Sequence, residues 1–300
     1  LRTLTVIRDA EAAIQKKDPS FSIRKLDYDD AATYKMLGQG ETEGVFQLES
    51  SGMKQVLVGL QPQNLEDVIA LISLYRPGPM DSIPTYLRNR HEPDKISYKT
   101  PQLAHILDVT NGCIVYQEQV MQIFRELAGF SFGQADNVRR AMSKKKHAVM
   151  EAEREHFVHG CTEPGHECPG CVANGISEKV ANEIYDEMSS FASYAFNKSH
   201  AACYAYVAFQ TAYLKCHYPS EFMAALLTSV LDNTDKVIEY SGECARLGIK
   251  VLPPDVNISN GGFTADNGKI RFGLNAVKNV GRNLIERVVE ERKEKPYSSL

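Results

Sequence analysis

The stretch FNKSHAACYAYVAFQTAYLKCHYPSEFMAALL, residues 196–227, decides the fold. Its Ala, Tyr, Val and Phe residues give a predicted helix over residues 199–217 an almost wholly apolar surface. Pro219 is typical of the first turn of a following helix, because an N–H at that position would have no partner inside the helix. The pattern therefore predicts two consecutive helices in a mainly helical chain.

The rest of the chain supports a mainly α fold. Apolar residues at helical spacing predict helices at residues 3–17 and 117–127, with further helices before and after them. Two Pro, four Gly and a Cys/His cluster interrupt this pattern at residues 159–175. Beyond residue 258, FTADNGKIRFGL alternates around Asn267-Gly268 and predicts a small β-hairpin. We place a domain boundary near residue 258, which separates residues 1–258 from residues 259–300.

Charge is distributed unevenly along the chain. The 300 residues have a net charge of −4, and 43% of them are apolar. The run RRAMSKKK, residues 139–146, carries five positive charges, so the other 292 residues hold 29 basic and 38 acidic side chains, a net −9. A local cation site on an acidic body suits a compact anion such as a triphosphate at least as well as a long nucleic acid.

Targeting signals are not evident. The chain contains no run of roughly 18 consecutive apolar residues and no leader pattern at its start, LRTLTVIRDAEAA. We therefore expect a soluble, cytoplasmic protein without a membrane segment. The missing initiator Met indicates a piece cut from a longer chain.

Arg139, Arg140 and Lys144 form the first candidate site. Residues 140 and 144 share one face of a helix, and Arg139 lies at the edge of that face. Arginine is suited to bidentate contacts with phosphate. The alternative is a solvated basic helix end that complements the helix dipole. Composition alone does not decide between these interpretations.

Phe196, His200 and Tyr204 form the second candidate site, at spacing i, i+4, i+8 with Lys198 near the start. Such a stripe of rings can stack against a base. Periodicity by itself favours burial in a core. The polar run at residues 197–200 opposes burial and would suit an anion at a helix start.

The interrupted segment contains a possible metal site. Cys161, His166, Cys168 and Cys171 supply four ligands of the kind that zinc prefers, with His159 as an alternative to His166. Four protein ligands would leave no open coordination position, so the predicted zinc is structural. The alternative is a polar loop with free thiols.

A reaction centre is not apparent. The sequence has no Gly-x-x-x-x-Gly-Lys phosphate loop. Its dense acidic triplet, Asp27, Asp29 and Asp30, lies where a helix cap is expected, which argues against a two-metal site. The residues thus predict phosphate binding without catalysis.

Several long blocks resemble one family. These are GVFQLESSGMKQVL, IALISLYRPGPMDS, GCIVYQEQVMQIF, FGQADNVRRAMSKKK, FNKSHAACYAYVAFQTAYLKCHYPSEFMAALL and GLNAVKNVG. They resemble the alpha subunits of bacterial DNA polymerase III, the C family of replicative DNA polymerases. The resemblance runs in family order from residue 1 to about residue 292, apart from the Cys/His loop.

The resemblance implies that residues 1–258 are a helical fingers domain, which receives the incoming deoxynucleoside triphosphate (dNTP) and contacts the templating base. Residues 259–300 would hold the hairpin and the beginning of a helix-hairpin-helix-like region. The implied triphosphate contacts are Arg139, Arg140 and Lys144, with Arg76 as a further candidate. The implied nucleotide surface carries Phe196, Lys198, His200 and Tyr204. Lys278 and Gly281 are the implied DNA contacts.

The resemblance also implies what this chain lacks. The catalytic aspartates and their Mg²⁺ ions would lie upstream, in the palm, so the isolated fragment is expected to be inactive. Expected partners are the dNTP, primer-template DNA, the palm and thumb of the same chain, and, through other regions, the sliding clamp and further replicase subunits. The alternatives are a zinc-stabilised nucleic-acid-binding module and a scaffold for replication subunits.

Overall fold

The computed structural model describes residues 2–143, 147–192 and 196–298. Within them the secondary structure is mainly helical, as predicted. The helices are α1 Arg2–Gln15, α2 Ala31–Gly38, α3 Ser51–Leu60, α4 Leu65–Leu74, α5 Ile83–His91, α6 Ala104–Leu107, α7 Gln117–Ala128, α8 Phe132–Ser143, α9 His147–His159, α10 Gly170–Ala173, α11 Glu178–Ala192, α12 Lys198–His217, α13 Pro219–Ser229, α14 Thr234–Arg246 and α15 Arg282–Glu291. The strands are β1 Val251–Leu252, β2 Thr264–Asp266 and β3 Lys269–Arg271.

Contacts divide the chain into two compact units. The central unit is Glu66–Ala205, and the discontinuous unit combines Leu1–Leu65 with Tyr206–Leu300. The chain passes from one unit to the other within α4 and again within α12. The predicted domain boundary near residue 258 lies inside the discontinuous unit and does not coincide with this division, so it stays a prediction.

The central unit has an aromatic core built around α7. The ring of Phe124 meets that of Phe157 edge-on at 5.0 Å and that of Tyr185 at 6.0 Å. These side chains come from α7, α9 and α11, whose apolar faces supply most of the surrounding cluster. Gly129 ends α7 with a φ of 76°, a left-handed conformation that glycine adopts without strain. The core therefore fixes the direction of α7.

Gln119 determines how the chain enters α7. Its buried side chain accepts hydrogen bonds from the amides of Val115 and Tyr116, both at 2.9 Å. The same side chain donates to the carbonyl of Ile106 and the hydroxyl of Thr110. A buried amide with its donors and acceptors engaged holds the backbone in one position. The residues just before α7 are therefore held in an extended form.

The discontinuous unit contains the small sheet. β2 and β3 pair antiparallel around Asn267-Gly268, whose φ values of 47° and 76° fit a type I′ turn, so the predicted hairpin is confirmed. β1 adds to β3 in parallel, which gives the order β1-β3-β2. The core beside the sheet comes chiefly from α1, α13 and α14.

The two helices predicted within residues 196–227 are confirmed. α13 begins at Pro219, as predicted, and α12 covers the predicted span with one extra residue at its start. Asp30 caps α2 by accepting a hydrogen bond from the Thr33 amide at 2.8 Å, which confirms its structural role. No helix in the described part of the chain is both long enough and apolar enough to cross a membrane.

Candidate nucleotide site

Two distant segments meet in the central unit at an isolated β-bridge between Tyr116 and Phe196. The amide of Gln117 donates to the carbonyl of Phe196 at 2.9 Å, and the amide of Phe196 donates to the carbonyl of Val115 at 3.4 Å. Since Gln117 begins α7 and Phe196 lies just before α12, the bridge places the starts of these helices side by side. The candidate site consists of side chains that surround this bridge.

The aromatic stripe lies at the surface of the unit. The rings of His200 and Tyr204, which share one face of α12, are 4.6 Å apart. Phe196 lies just before α12, and its ring is 5.3 Å from that of His200. His200 is exposed, and the two flanking rings are half-buried. The interpretation as core, which periodicity alone favours, is therefore wrong.

Arg76 lies at one end of the stripe. The central carbon of its guanidinium is 4.0 Å from the centre of the Phe196 ring, a cation–π contact. The Arg76 Nε also donates to the carbonyl of Ser73 at 3.0 Å. Burial lowers the pKa of Arg76 from its ordinary value. The structure thus brings together Arg76 and Phe196, which are distant in sequence.

The start of α12 already has an anion of its own. Both carboxylate oxygens of Glu118 accept from the amide of Lys198, at 3.1 and 3.2 Å, and one accepts from the side chain of Asn197 at 2.9 Å. Asn197 in turn accepts from the amide of His200 at 2.9 Å. These two amides are therefore engaged within the protein, and an external anion would have to compete with Glu118 for the Lys198 amide; anion binding at this helix start stays a prediction.

Lys198 is also engaged. Its ammonium is 3.0 Å from a carboxylate oxygen of Glu66 and 5.3 Å from the centre of the Tyr116 ring. Glu66 stands in the first turn of α4, so this ion pair joins α4 to the start of α12. A nucleotide would have to compete with Glu66 for this lysine.

Arg139 and Arg140 converge on one carboxylate. Asp136 accepts from Arg139 Nε and Nη2 through Oδ1, at 3.0 and 2.8 Å, and pairs with Arg140 Nε through Oδ2 at 2.8 Å. The hydrogen bond from Arg139, followed by the charges of both arginines, lowers the pKa of Asp136. The i, i+3 and i, i+4 spacing of these three residues in the sequence is the signal of this geometry.

The two arginines differ in their surroundings. The Arg139 side chain is 19% exposed, and its Nη1 donates to the side-chain oxygen of Gln117 at 3.1 Å. The Arg140 side chain is 65% exposed. Arg140 is therefore the more accessible of the two for a ligand. Lys144, the third predicted cation, lies outside the described residues.

Gln117 links the arginine pair to the aromatic stripe. Its side chain binds Arg139, and its own amide binds Phe196 across the bridge. The sequence could not reveal that residues near 139 and near 196 share a neighbour, because that depends on long-range packing. Gln117 and Glu118 are therefore candidate site residues that the sequence did not reveal.

The Cys/His loop does not form the predicted zinc site. Cys161 and Cys168 exchange two backbone hydrogen bonds of 2.9 Å, while Cys171 is fully buried in the core at α10. Burial raises the pKa of Cys171 to about 12, so the thiol keeps its proton at neutral pH. His166 lies on the exposed side of the loop. The described parts of the chain hold no group of three or more His, Cys, Asp and Glu side chains placed to bind a metal, so the zinc prediction lacks support.

The arrangement of carboxylates also bears on Mg²⁺ binding. Two-metal catalysis needs several carboxylates that share two ions, and the described residues do not gather such a set. The residues present thus do not fit a Mg²⁺ centre.

Lys278 and Gly281 lie in the discontinuous unit, away in sequence from the residues above. Both are exposed, and Gly281 is the N-cap of α15 without a capping side chain. This arrangement leaves room at the start of α15 for an outside acceptor.

Comparison with known proteins points to one family. Residues 3–165 match the bacterial DNA polymerase III alpha subunit finger domain, and residues 248–300 match a helix-hairpin-helix motif. Similar proteins named DNA polymerase III subunit alpha come from Thermus aquaticus at 48% identity, Bacillus subtilis at 44% and Escherichia coli at 43%. These alignments cover 99–100% of this chain and 24–26% of each relative. The chain therefore spans about a quarter of the length of these relatives.

Proposed function

Because the chain belongs to the bacterial DNA polymerase III alpha subunit finger domain family, we propose that it receives the incoming dNTP and contacts the templating base during DNA synthesis. One observation carries the proposal. The arginine pair and the aromatic stripe, which are distant in sequence, are joined through Gln117 at the Tyr116–Phe196 bridge. A nucleotide needs this combination of cations for its phosphates and flat rings for its base and sugar.

The arginine pair is the proposed triphosphate contact. Arg140 is the more exposed, and its planar guanidinium matches phosphate oxygens in pairs. Asp136 keeps both arginines in place before the nucleotide arrives, so little side-chain order has to be gained on binding. Lys144 is proposed as a third contact on sequence grounds alone.

The aromatic stripe is the proposed surface for the base and sugar. Phe196, His200 and Tyr204 present three rings in one row at the surface, with Arg76 stacked on the first of them. Stacking of this kind tolerates any base, as a polymerase requires, since each base has a π-face. Lys198 would contribute charge after release from Glu66.

The chemical step belongs to the complete polymerase. We propose that the parent protein is a cytoplasmic DNA-directed DNA polymerase whose palm holds the carboxylates and Mg²⁺, and that this fragment alone is inactive. Its cations would neutralise charge on the triphosphate as the bond to the leaving group breaks. The proposed partners are dNTP, primer-template DNA, the palm and thumb, and the clamp and other replicase subunits through other regions.

The C-terminal part is the proposed contact with the DNA backbone. The helix-hairpin-helix match covers residues 248–300, and Lys278 with the amides at the start of α15 would meet a phosphate there.

Arg140→Ala in the full-length polymerase tests the nucleotide site. We expect kcat/KM for dNTP incorporation to fall by about ten- to a hundredfold, since a charge-assisted hydrogen bond to phosphate is lost. Affinity for primer-template DNA should stay nearly unchanged. Steady-state incorporation and DNA binding are the measurements.

Arg8→Ala is the matched control for Arg140→Ala. Arg8 is also exposed and also paired to an aspartate of its own helix, Asp9, but it lies in the discontinuous unit. It should leave both measurements unchanged. Incorporation by Arg140→Ala at the wild-type rate and KM would refute the proposed triphosphate contact.

A further inference from the structure

We infer that Gln117 is a positioning residue that fixes the Arg139 guanidinium relative to the aromatic stripe. The cation for the phosphates and the rings for the base and sugar are then correctly spaced to bind one nucleotide. The inference rests on the proposed function. Gln117 is not among the residues expected to touch the nucleotide, and its role comes from two contacts that it makes in different directions.

The first contact is made by the side chain. Gln117 Oε1 accepts from Arg139 Nη1 at 3.1 Å, while Asp136 accepts from Nε and Nη2 of the same guanidinium. Donors on both sides of the fork are thus engaged, and the plane of the group is set. Asp136 lies one turn away on the same helix as Arg139, α8, whereas Gln117 connects Arg139 to a different helix, α7.

The second contact is made by the backbone. The Gln117 amide donates to the Phe196 carbonyl at 2.9 Å, directly before the helix that carries His200 and Tyr204. The next residue, Glu118, holds the Lys198 amide. Gln117 therefore connects Arg139 directly to Phe196, which lies just before α12. A change of the Gln117 side chain removes the first contact and leaves the backbone contact in place.

Gln117→Met is the informative variant, because methionine has the same length and lacks the amide oxygen. In the full-length polymerase we expect the KM for dNTP to rise about tenfold, the loss typical of one hydrogen bond to a charged group. The KM for primer-template DNA and the melting temperature should stay close to wild type. A merely structural role would lower the melting temperature and would not single out the dNTP.

Gln122→Met is the matched control on the same helix. Its amide bonds an exposed carboxylate, Glu126, at 2.7 Å, away from the arginine pair. It should leave every kinetic constant unchanged. A tenfold rise in the KM for dNTP with Gln122→Met would overturn the inference, because the effect would then belong to α7 in general.

Combination with Arg139→Ala separates positioning from direct contact. If Gln117 acts through Arg139, Gln117→Met adds no further loss in the Arg139→Ala background. A further loss in that background, or a wild-type KM for Gln117→Met beside a raised KM for Arg139→Ala, overturns the positioning role alone. Wild-type KM values for Arg139→Ala and Arg140→Ala overturn the proposed function instead. If Gln117→Met folds poorly, Gln117→Ala provides the test, since alanine favours the helix and also removes the side-chain contact with Arg139.

Discussion

Residues of one type differ in chemistry according to their surroundings, as the cysteines of the 159–175 segment show. Cys171 is fully buried at α10, and burial raises its pKa to about 12. Cys161 is half-buried and takes part in a backbone pair with Cys168. Spacing suggested four equivalent ligands, whereas packing makes Cys171 a small apolar core residue.

Substitution by serine distinguishes these environments. Cys171→Ser should lower the free energy of unfolding by about 1–3 kcal/mol, because it buries a hydroxyl among apolar neighbours. Cys161→Ser should change it by less than about 0.5 kcal/mol, as is usual away from the core. Urea unfolding measures both. Equal large losses, together with stoichiometric zinc in elemental analysis, would restore the four-ligand site.

From the sequence, grouping of candidate site residues could be predicted only for residues that lie close together along the chain. The spacing of Phe196, His200 and Tyr204 correctly gave one row of rings, but it could not say that the row faces outward. Nor could it show that Gln117 meets both Arg139 and Phe196, since no local pattern records a contact between distant segments. The resemblance to a family implied a set of site residues, which stays a prediction, and the structure shows what these residues contact.

At the scale of elements, a buried ion pair ties α12 to α14 in the discontinuous unit. The ammonium of Lys215 lies 2.6 Å from a carboxylate oxygen of Glu243, with side-chain exposures of 0% and 5%. Lys215 also donates to the carbonyls of Glu41 and Glu43, at 3.0 and 2.8 Å, and so holds the Gly-rich loop before α3. The Lys215 ammonium and the Glu243 carboxylate therefore neutralise each other in a buried position.

Glu243→Gln should destabilise the protein by about 3–5 kcal/mol near pH 7, because it leaves Lys215 buried without a counter-charge. Burial opposes ionisation of Glu243, but hydrogen bonds from Arg246 and Lys215 outweigh it and lower its pKa below 4.5. The wild-type advantage is thus complete above about pH 4.5 and lost as the pH falls through the lowered pKa.

Urea unfolding across this pH range provides the measurement for Glu243→Gln. Glu239→Gln is the control, since Glu239 lies on the same helix and pairs with Lys236 at the surface. It should cost no more than about 1 kcal/mol. A loss for Glu243→Gln that is no larger than this, or that does not change with pH, would contradict the argument.

Elements with a local signal were predictable and the others were not. The Asn267-Gly268 turn and Pro219 at the start of α13 depend on the conformations of one or two residues, which the sequence states directly. β1 has only two residues, and it is a strand because β3 lies beside it. Its parallel pairing follows from tertiary packing and leaves no pattern in the sequence.

At the scale of the whole molecule, the two proposed contacts belong to different units. The arginine pair and the aromatic stripe lie in the central unit, whereas Lys278 and Gly281 lie in the discontinuous unit. Nucleotide binding and DNA binding should therefore respond to different substitutions.

Lys278→Ala in the full-length polymerase should weaken binding to duplex DNA of any sequence and reduce the slope of log affinity against log salt by about 1. The KM for dNTP at saturating DNA should not change. Arg140→Ala should show the reverse pattern. An unchanged salt slope for Lys278→Ala would remove this lysine from the proposed DNA contact.

Two carboxylates of the protein itself already occupy donors of the proposed nucleotide site. Glu118 occupies the start of α12, and Asp136 lies between Arg139 and Arg140. A small inorganic anion would compete with these carboxylates, and it would bring no base or sugar to contact the rings. An anion built into the protein in this way keeps neighbouring arginines in one arrangement while the site is empty, as Asp136 does for Arg139 and Arg140.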